Sequence, residues 1–233
     1  MSNLIGLILP FITVLIFVIG MGYRFYIWTK TPQPGKMTLF PTPTPGGGTF
    51  ISIIKESFFF PGLFKGDRSL WIAAWVFHAS LALIILGHLR VFSGFFDRIL
   101  INMGVDVDLM SSTGGGAAGI LILITAIWLL LRRFALRRVR EISNASDFLA
   151  LLLVLAIIFT GNSMRFGEHF DLEITRNYFA HLFTFSFAEM TLPQSGIFWT
   201  HFFLVQLLIM YIPFSKILHF GGIFFTQSLI QKS

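Results

Sequence analysis

Long apolar runs alternate along the chain with short polar and charged connections. Five runs reach or approach the roughly 20 apolar residues that a bilayer-crossing helix needs: residues 4–23, 70–91, 115–131, 148–161 and 196–218. The fourth is the shortest, and polar residues extend it at both ends. The pattern predicts an all-α fold, an integral membrane bundle of five transmembrane helices that forms a single domain over residues 1–233. The connection over 24–69 is long and carries Pro32, Pro34, Pro41, Pro43 and Pro45 followed by three glycines, a composition that favours an extended path. Within it, residues 50–60 are apolar around Lys55 and Glu56 and predict an amphipathic helix lying on the membrane or on a partner. Residues 179–190 predict a second interfacial helix. The first run is not expected to be a cleaved signal peptide, because no basic region precedes it and no small-x-small site follows it.

Composition supports the membrane reading. Hydrophobic residues make up 55% of the 233 positions and charged residues 12%, against about 25% charged in a soluble domain. An ordinary soluble enzyme, a disordered chain and a nucleic-acid-binding module are thereby excluded. The net charge of +6 has a topological origin. Of the 17 Lys and Arg, thirteen fall in the first and third connections and the tail, and four in the second and fourth connections. The positive-inside rule then predicts the N-terminus outside and the C-terminus cytoplasmic, in the inner membrane of a prokaryote. No cysteine is present, which removes disulfides, thiolate metal sites, cysteine-held iron–sulfur clusters and covalently attached haem. A bound metal or cofactor must rely on His, Met or carboxylate.

Six histidines are available. His78 and His88 fall in the second run, and His201 and His219 within and at the end of the fifth. His169 and His181 fall in the fourth connection and are expected to be loop residues, with His181 the alternative to His201 if the last helix starts earlier. Ionisable residues in apolar spans are costly and point to function. At about 1.5 Å per residue, His78 and His88 are about 15 Å apart along a helix, and His201 and His219 about 27 Å apart if that helix is continuous. The two runs cross in opposite directions. His88 and His201 therefore share the outer half, and His78 and His219 the cytoplasmic half. Two imidazoles facing each other in a helical bundle suit a b-type haem, so two haems are expected. Ala79, Ala82 and Gly87 on the second run, and residues 114–119 (Gly-Gly-Gly-Ala-Ala-Gly) at the start of the third, would let a flat macrocycle approach. Arg68, Arg132 and Arg133 are candidate propionate partners inside, and Arg90 or Arg176 outside. A carboxylate di-metal site is disfavoured, since no span contains a Glu.

The stretches Ala74-Trp75-Val76-Phe77-His78 and Gly87-His88 resemble the second helix of the gamma subunit of respiratory nitrate reductase. Similar too are residues 114–119 leading to Arg132-Arg133 and Arg138-Val139-Arg140, Asp147 at the start of the fourth helix, and Pro213-Phe214-Ser215-Lys216-Ile217-Leu218-His219 at the end of the last. The likeness covers roughly residues 70–225. It implies a dihaem b membrane subunit with His88 and His201 on the outer haem and His78 and His219 on the inner one. The long Pro-rich loop, His88-Leu89-Arg90 and the Gly161-Asn162-Ser163-Met164-Arg165 ending look more like the cytochromes of heterodisulfide-reductase-like and dissimilatory-sulfite-reductase-linked complexes, whose cytoplasmic partner is an iron–sulfur protein. The lysine that the family uses at its quinone site has no counterpart in residues 105–110.

The resemblance implies electron transfer between a quinone, expected to be menaquinone, and a cytoplasmic iron–sulfur redox subunit. A transporter would show broken helices or repeated halves, and a structural anchor has no need of four deep histidines. Arg90, Asp108, Asn162 and Arg165 are the candidate quinone contacts, at the depth of His88. Ion pairing of Arg90 and Arg165 with Asp97, Asp108 or Glu168 is the competing expectation. The basic loop 24–68, the 132–140 cluster and the tail 221–233 are expected to dock the partner, or to bind anionic lipid.

Overall fold

The computed structural model describes residues 3–30, 47–167 and 171–219. The Pro-rich run, His169 and the tail beyond His219 lie outside the described residues. Among the described residues, five helices are long and apolar enough to cross a membrane: Leu4–Lys30, Arg68–Phe92, Val107–Ala135, Ala145–Phe166 and Gly196–Phe214. Among the described residues there is no strand. The first four helices outrun their apolar stretches; in the second, third and fourth, side-chain caps from Asp67, Asp106 and Asn144 carry the helical hydrogen bonding beyond the apolar run.

The first span is α1 (Leu9–Lys30), preceded by a π turn at Leu4–Ile8. The turn's carbonyls are taken up from outside the helix: Tyr178 donates its hydroxyl to Gly6 O at 2.7 Å, and Gln206 its amide to Ile5 O at 3.1 Å. The predicted amphipathic helix is α2 (Gly47–Phe59), followed by the short α3 (Pro61–Gly66). Between them Phe60 adopts a left-handed conformation at φ 49, a position usually given to glycine at a helix end. Trp71 and Trp75 donate their indole N–H groups to the carbonyls of Phe59 and Phe58. These two bonds fasten the end of α2 to the second span, and the Phe60 ring sits 5.3 Å from the His78 ring.

The second span is α4 (Arg68–Phe92), capped by the Asp67 carboxylate on Leu70 N–H. After α5 (Phe95–Asn102), the third span opens with α6 (Val107–Met110), passes through a π turn at Ser111–Gly115 and continues as α7 (Gly116–Ala135). It begins eight residues before the hydropathy boundary, because Asp106 caps the backbone N–H groups of Asp108 and Leu109. The short α8 (Arg137–Glu141) leads to α9 (Ala145–Phe166). The weak fourth run is thus a full 22-residue helix, opened by a reciprocal cap between Asn144 and Asp147 and unbroken at Gly161-Asn162. The interfacial helix is α10 (Leu172–Thr184), earlier than expected because Asp171 caps Ile174 N–H.

The last span departs most from expectation. Its helix, α11 (Gly196–Tyr211), stops before Pro213, which has no N–H to continue the ladder. Two single 3-10 turns follow, Ile212–Phe214 and Lys216–Leu218, separated by extended Ser215. His219 therefore sits beyond the helix, and the separation of about 27 Å expected of a continuous helix does not apply. The break rests against α1. A Cβ on Gly20 would stand 2.8 Å from Pro213 Cβ, and Arg24 donates to Pro213 O at 2.6 Å.

The helices pack in series: α4 on α7, α7 on α9, α9 on α11, and α11 on α1. One apolar core joins Ile122, Ala126 and Ile158 with Phe77, Leu81 and Ile84. A second joins Tyr178, Phe179, Leu182 and Phe198. Leu83, Leu86, Ile124 and Phe159 point outward and are more than half exposed, as a lipid-facing surface requires.

Candidate functional site

The serial packing leaves α4 and α11 without a continuous mutual seam, and the four span histidines reach across between them. The rings of His88 and His201 have centres 6.4 Å apart and planes 16° apart. Those of His78 and His219 are 5.9 Å apart and nearly perpendicular, at 88°. The pairing by depth expected from two antiparallel spans is the pairing in the structure, although the Pro213 break, rather than helical periodicity, delivers His219 to His78.

Each ring commits its Nδ1. His78 lies 2.7 Å from Ala74 O, His88 2.7 Å from Ile84 O and His219 3.1 Å from Lys216 O. These partners are carbonyls, so Nδ1 carries the proton and donates. His201 Nδ1 instead lies 2.9 Å from Thr160 Oγ1 on α9. The Thr160 hydroxyl is within reach of Ala156 O and Ile157 O, which spends its proton and leaves its oxygen to accept from His201. In all four rings Nε2 is then the unprotonated nitrogen, the form that ligates a metal.

Two imidazoles sharing one metal through bonds of about 2.0–2.1 Å hold their ring centres roughly 6 Å apart. Both observed separations fit that distance. Among the described residues no three His, Asp or Glu side chains converge, so either pair needs further donors from a bound group such as a macrocycle. The arrangement can hold two irons at different depths of the bundle.

At the His78 end, Arg132 binds the Asp67 carboxylate at 2.9 Å. The backbone N–H of Leu70, the Ser69 hydroxyl and Arg132 together hold that carboxyl down at about 2. Arg68 lies over the Phe64 ring, 5.4 Å from its centre. Arg133 donates to Ser143 Oγ at 2.9 Å and stands 4.0 Å from Asp147. Asp147 is buried and binds Lys216 Nζ at 2.8 Å. The candidate propionate arginines are thus partly engaged by protein groups.

At the His88 end, Arg90 binds Asp97 at 2.7 Å and Asp108 at 3.3 Å, and Arg176 closes a second, shorter contact on Asp97. Burial opposes charge on Asp97, but hydrogen bonds from both arginines outweigh it and hold the carboxyl below its ordinary range. These residues, with Asp106, Leu172 and Glu173, line a cavity of about 390 Å³. Asn162 and Arg165 do not line it. Asn162 donates to Gly119 O at 2.8 Å, and Arg165 to Ser111 Oγ at 2.9 Å, so both join α9 to the third span. His181 stays apart from the pairs, on Asn177 O and 3.4 Å from Glu189.

Sequence reasoning passed over Thr160, Asp97 as a double acceptor, and Gln206. A buried polar side chain inside an apolar run was the available signal for Thr160 and Gln206.

Five helices long and apolar enough to cross a membrane among the described residues, together with the relatives the chain matches, make it a membrane cytochrome b, an electron-transfer subunit. The chain belongs to the nitrate reductase gamma subunit family, whose sequence model matches residues 63–229. It is 33% identical to the Hdr-like menaquinol oxidoreductase cytochrome b-like subunit of Archaeoglobus fulgidus, over 96% of this chain and 78% of that protein. With the subunit of the same description from Archaeoglobus profundus it shares 28% identity, over 94% of this chain and 76% of the relative. Both fall in the heterodisulfide-reductase-like branch that the loop and the Gly161–Arg165 ending resemble.

Proposed function

We propose that the chain is the dihaem b subunit of a respiratory complex, passing electrons from a membrane quinol, menaquinol by likeness to its relatives, to an iron–sulfur subunit on the cytoplasmic side. The observation that carries this reading is the set of four imidazoles, paired at haem-iron distance with every Nε2 left bare. His88 and His201 would ligate one haem, and His78 and His219 the other. Haem held there supplies reversible one-electron transfer at two depths of the membrane.

The quinol would bind at the His88 end, where Arg90 and Asp108 line a polar cavity two residues beyond the ligand. A quinol gives up its hydroxyl protons with its electrons. Asp108, whose side chain is 96% exposed, can take a proton and pass it to water, while Arg90 polarises a quinone oxygen. Protons would then leave on the outer side while electrons cross inward. The basic first and third connections face the other way in this topology and offer the docking surface for the partner.

The test is a pyridine haemochrome assay with a redox titration on the purified chain. Two haems with separate potentials are expected. A spectrum without b-type absorption would overturn the proposal in favour of a transporter or a cofactor-free anchor.

A further inference from the structure

Three of the four paired histidines hand their Nδ1 proton to a carbonyl three or four residues back on their own chain, a partner that no side-chain substitution can remove. His201 is the exception. Its ring finds its partners on the neighbouring helix α9 instead: Nδ1 lies 2.9 Å from the Thr160 hydroxyl, forty-one residues away in sequence, with the Ile157 carbonyl also in hydrogen-bond reach. Thr160 is buried, and the carbonyls of Ala156 and Ile157 fix the direction of its own proton. The next residue on α9, Gly161, meets the same edge of the ring: a Cβ there would stand 3.2 Å from His201 Cε1 and 3.7 Å from Nδ1. One residue thus orients the ring by a hydrogen bond, and its neighbour admits the ring by lacking a side chain.

We propose that Thr160 and Gly161 are positioning residues for His201, and that the Thr160 hydroxyl sets the plane and basicity of this one imidazole and so the potential of the haem at the His88 end. The inference rests on the reading of His201 as a haem ligand. A ligating imidazole that donates its other N–H is more basic and favours the oxidised metal. Loss of the acceptor on Thr160 leaves the ring with the Ile157 carbonyl and therefore raises the potential of that haem. The other haem, whose ligands both lean on backbone carbonyls, is not affected. The hydroxyl also enforces the nearly parallel rings of His88 and His201, in contrast to the perpendicular rings of the other pair.

The experiment is a potentiometric titration of the purified, haem-loaded protein followed by optical and low-spin EPR spectroscopy, with His201→Ala run alongside. Thr160→Val is expected to raise one midpoint potential and move one EPR signal, leaving the other haem at its wild-type values. Thr160→Ser, which keeps the hydroxyl, is expected to restore both. If Thr160→Val fails to load haem, Gly161→Ala decides: its added methyl crowds His201 and is expected to move the same EPR signal. Wild-type potentials and signals in Thr160→Val, an equal shift of both haems, or an unmoved signal in Gly161→Ala would overturn the inference. Retention of both haems by His201→Ala would instead overturn the ligand reading itself.

Discussion

Lys216 sets its Nζ 2.8 Å from the Asp147 carboxylate, tying the non-helical segment that carries His219 to the first turn of α9. The segment has few other fastenings. Arg24 holds Pro213 O on its near side, and Ser215 caps Ile217 N–H. Asp147→Asn keeps the shape and the reciprocal cap with Asn144 but removes the charge facing Lys216. Because the Lys216 side chain is exposed while Asp147 is buried, the cost to stability is expected to be about 1 kcal/mol, below that of breaking a fully buried pair. The larger effect falls on the cofactor. Haem content is expected to drop from two toward one, with loss of the haem at the His78 end, as measured by pyridine haemochrome and optical titration.

Substitution of the proposed ligands is expected to separate the two ends. His78→Ala or His219→Ala is expected to remove one haem, and His88→Ala or His201→Ala the other, each leaving about one haem per chain. The low-spin EPR signal that survives identifies the end. The same signal surviving in His78→Ala and His88→Ala would break the pairing.

A quinone analogue is expected to perturb the spectrum or potential of the haem at the His88 end and leave the other unchanged. Arg90→Gln opens the cavity wall, frees Asp108 and leaves Asp97 with Arg176. We expect analogue binding to weaken about tenfold, equivalent to about 1.4 kcal/mol. An analogue that shifts only the haem at the His78 end would move the quinone site across the membrane.

The Asp67 carboxyl, held at about 2 against an ordinary value of 3.8, makes the α3–α4 elbow acid-sensitive. Its folded value is depressed, so its contribution is present above the unfolded value and is lost as pH falls from about 4 through 2. Asp67→Asn is expected to melt below the parent at pH 6. The gap should close as the pH approaches 2, as followed by circular dichroism in detergent.

The number of long apolar helices, the helical class and the joining of the second and fifth runs through their histidines were legible in the residues alone. Hydropathy reports transfer into hydrocarbon residue by residue, and a helix advances a set distance per residue, so neither depends on neighbours far along the chain. The end of α11 was readable as well, because Pro213 cannot donate to the ladder, yet counting residues to His219 as though the helix continued hid the consequence. What needed the folded chain was every relation made across helices: the partner chosen by Thr160, the capture of Arg90 by Asp97 and Asp108, and the employment of Asn162 and Arg165 as inter-helix ties rather than cavity walls. Such choices turn on which polar atoms come within about 3 Å of one another, and helix rotation and crossing decide that through packing contacts spread over the whole bundle.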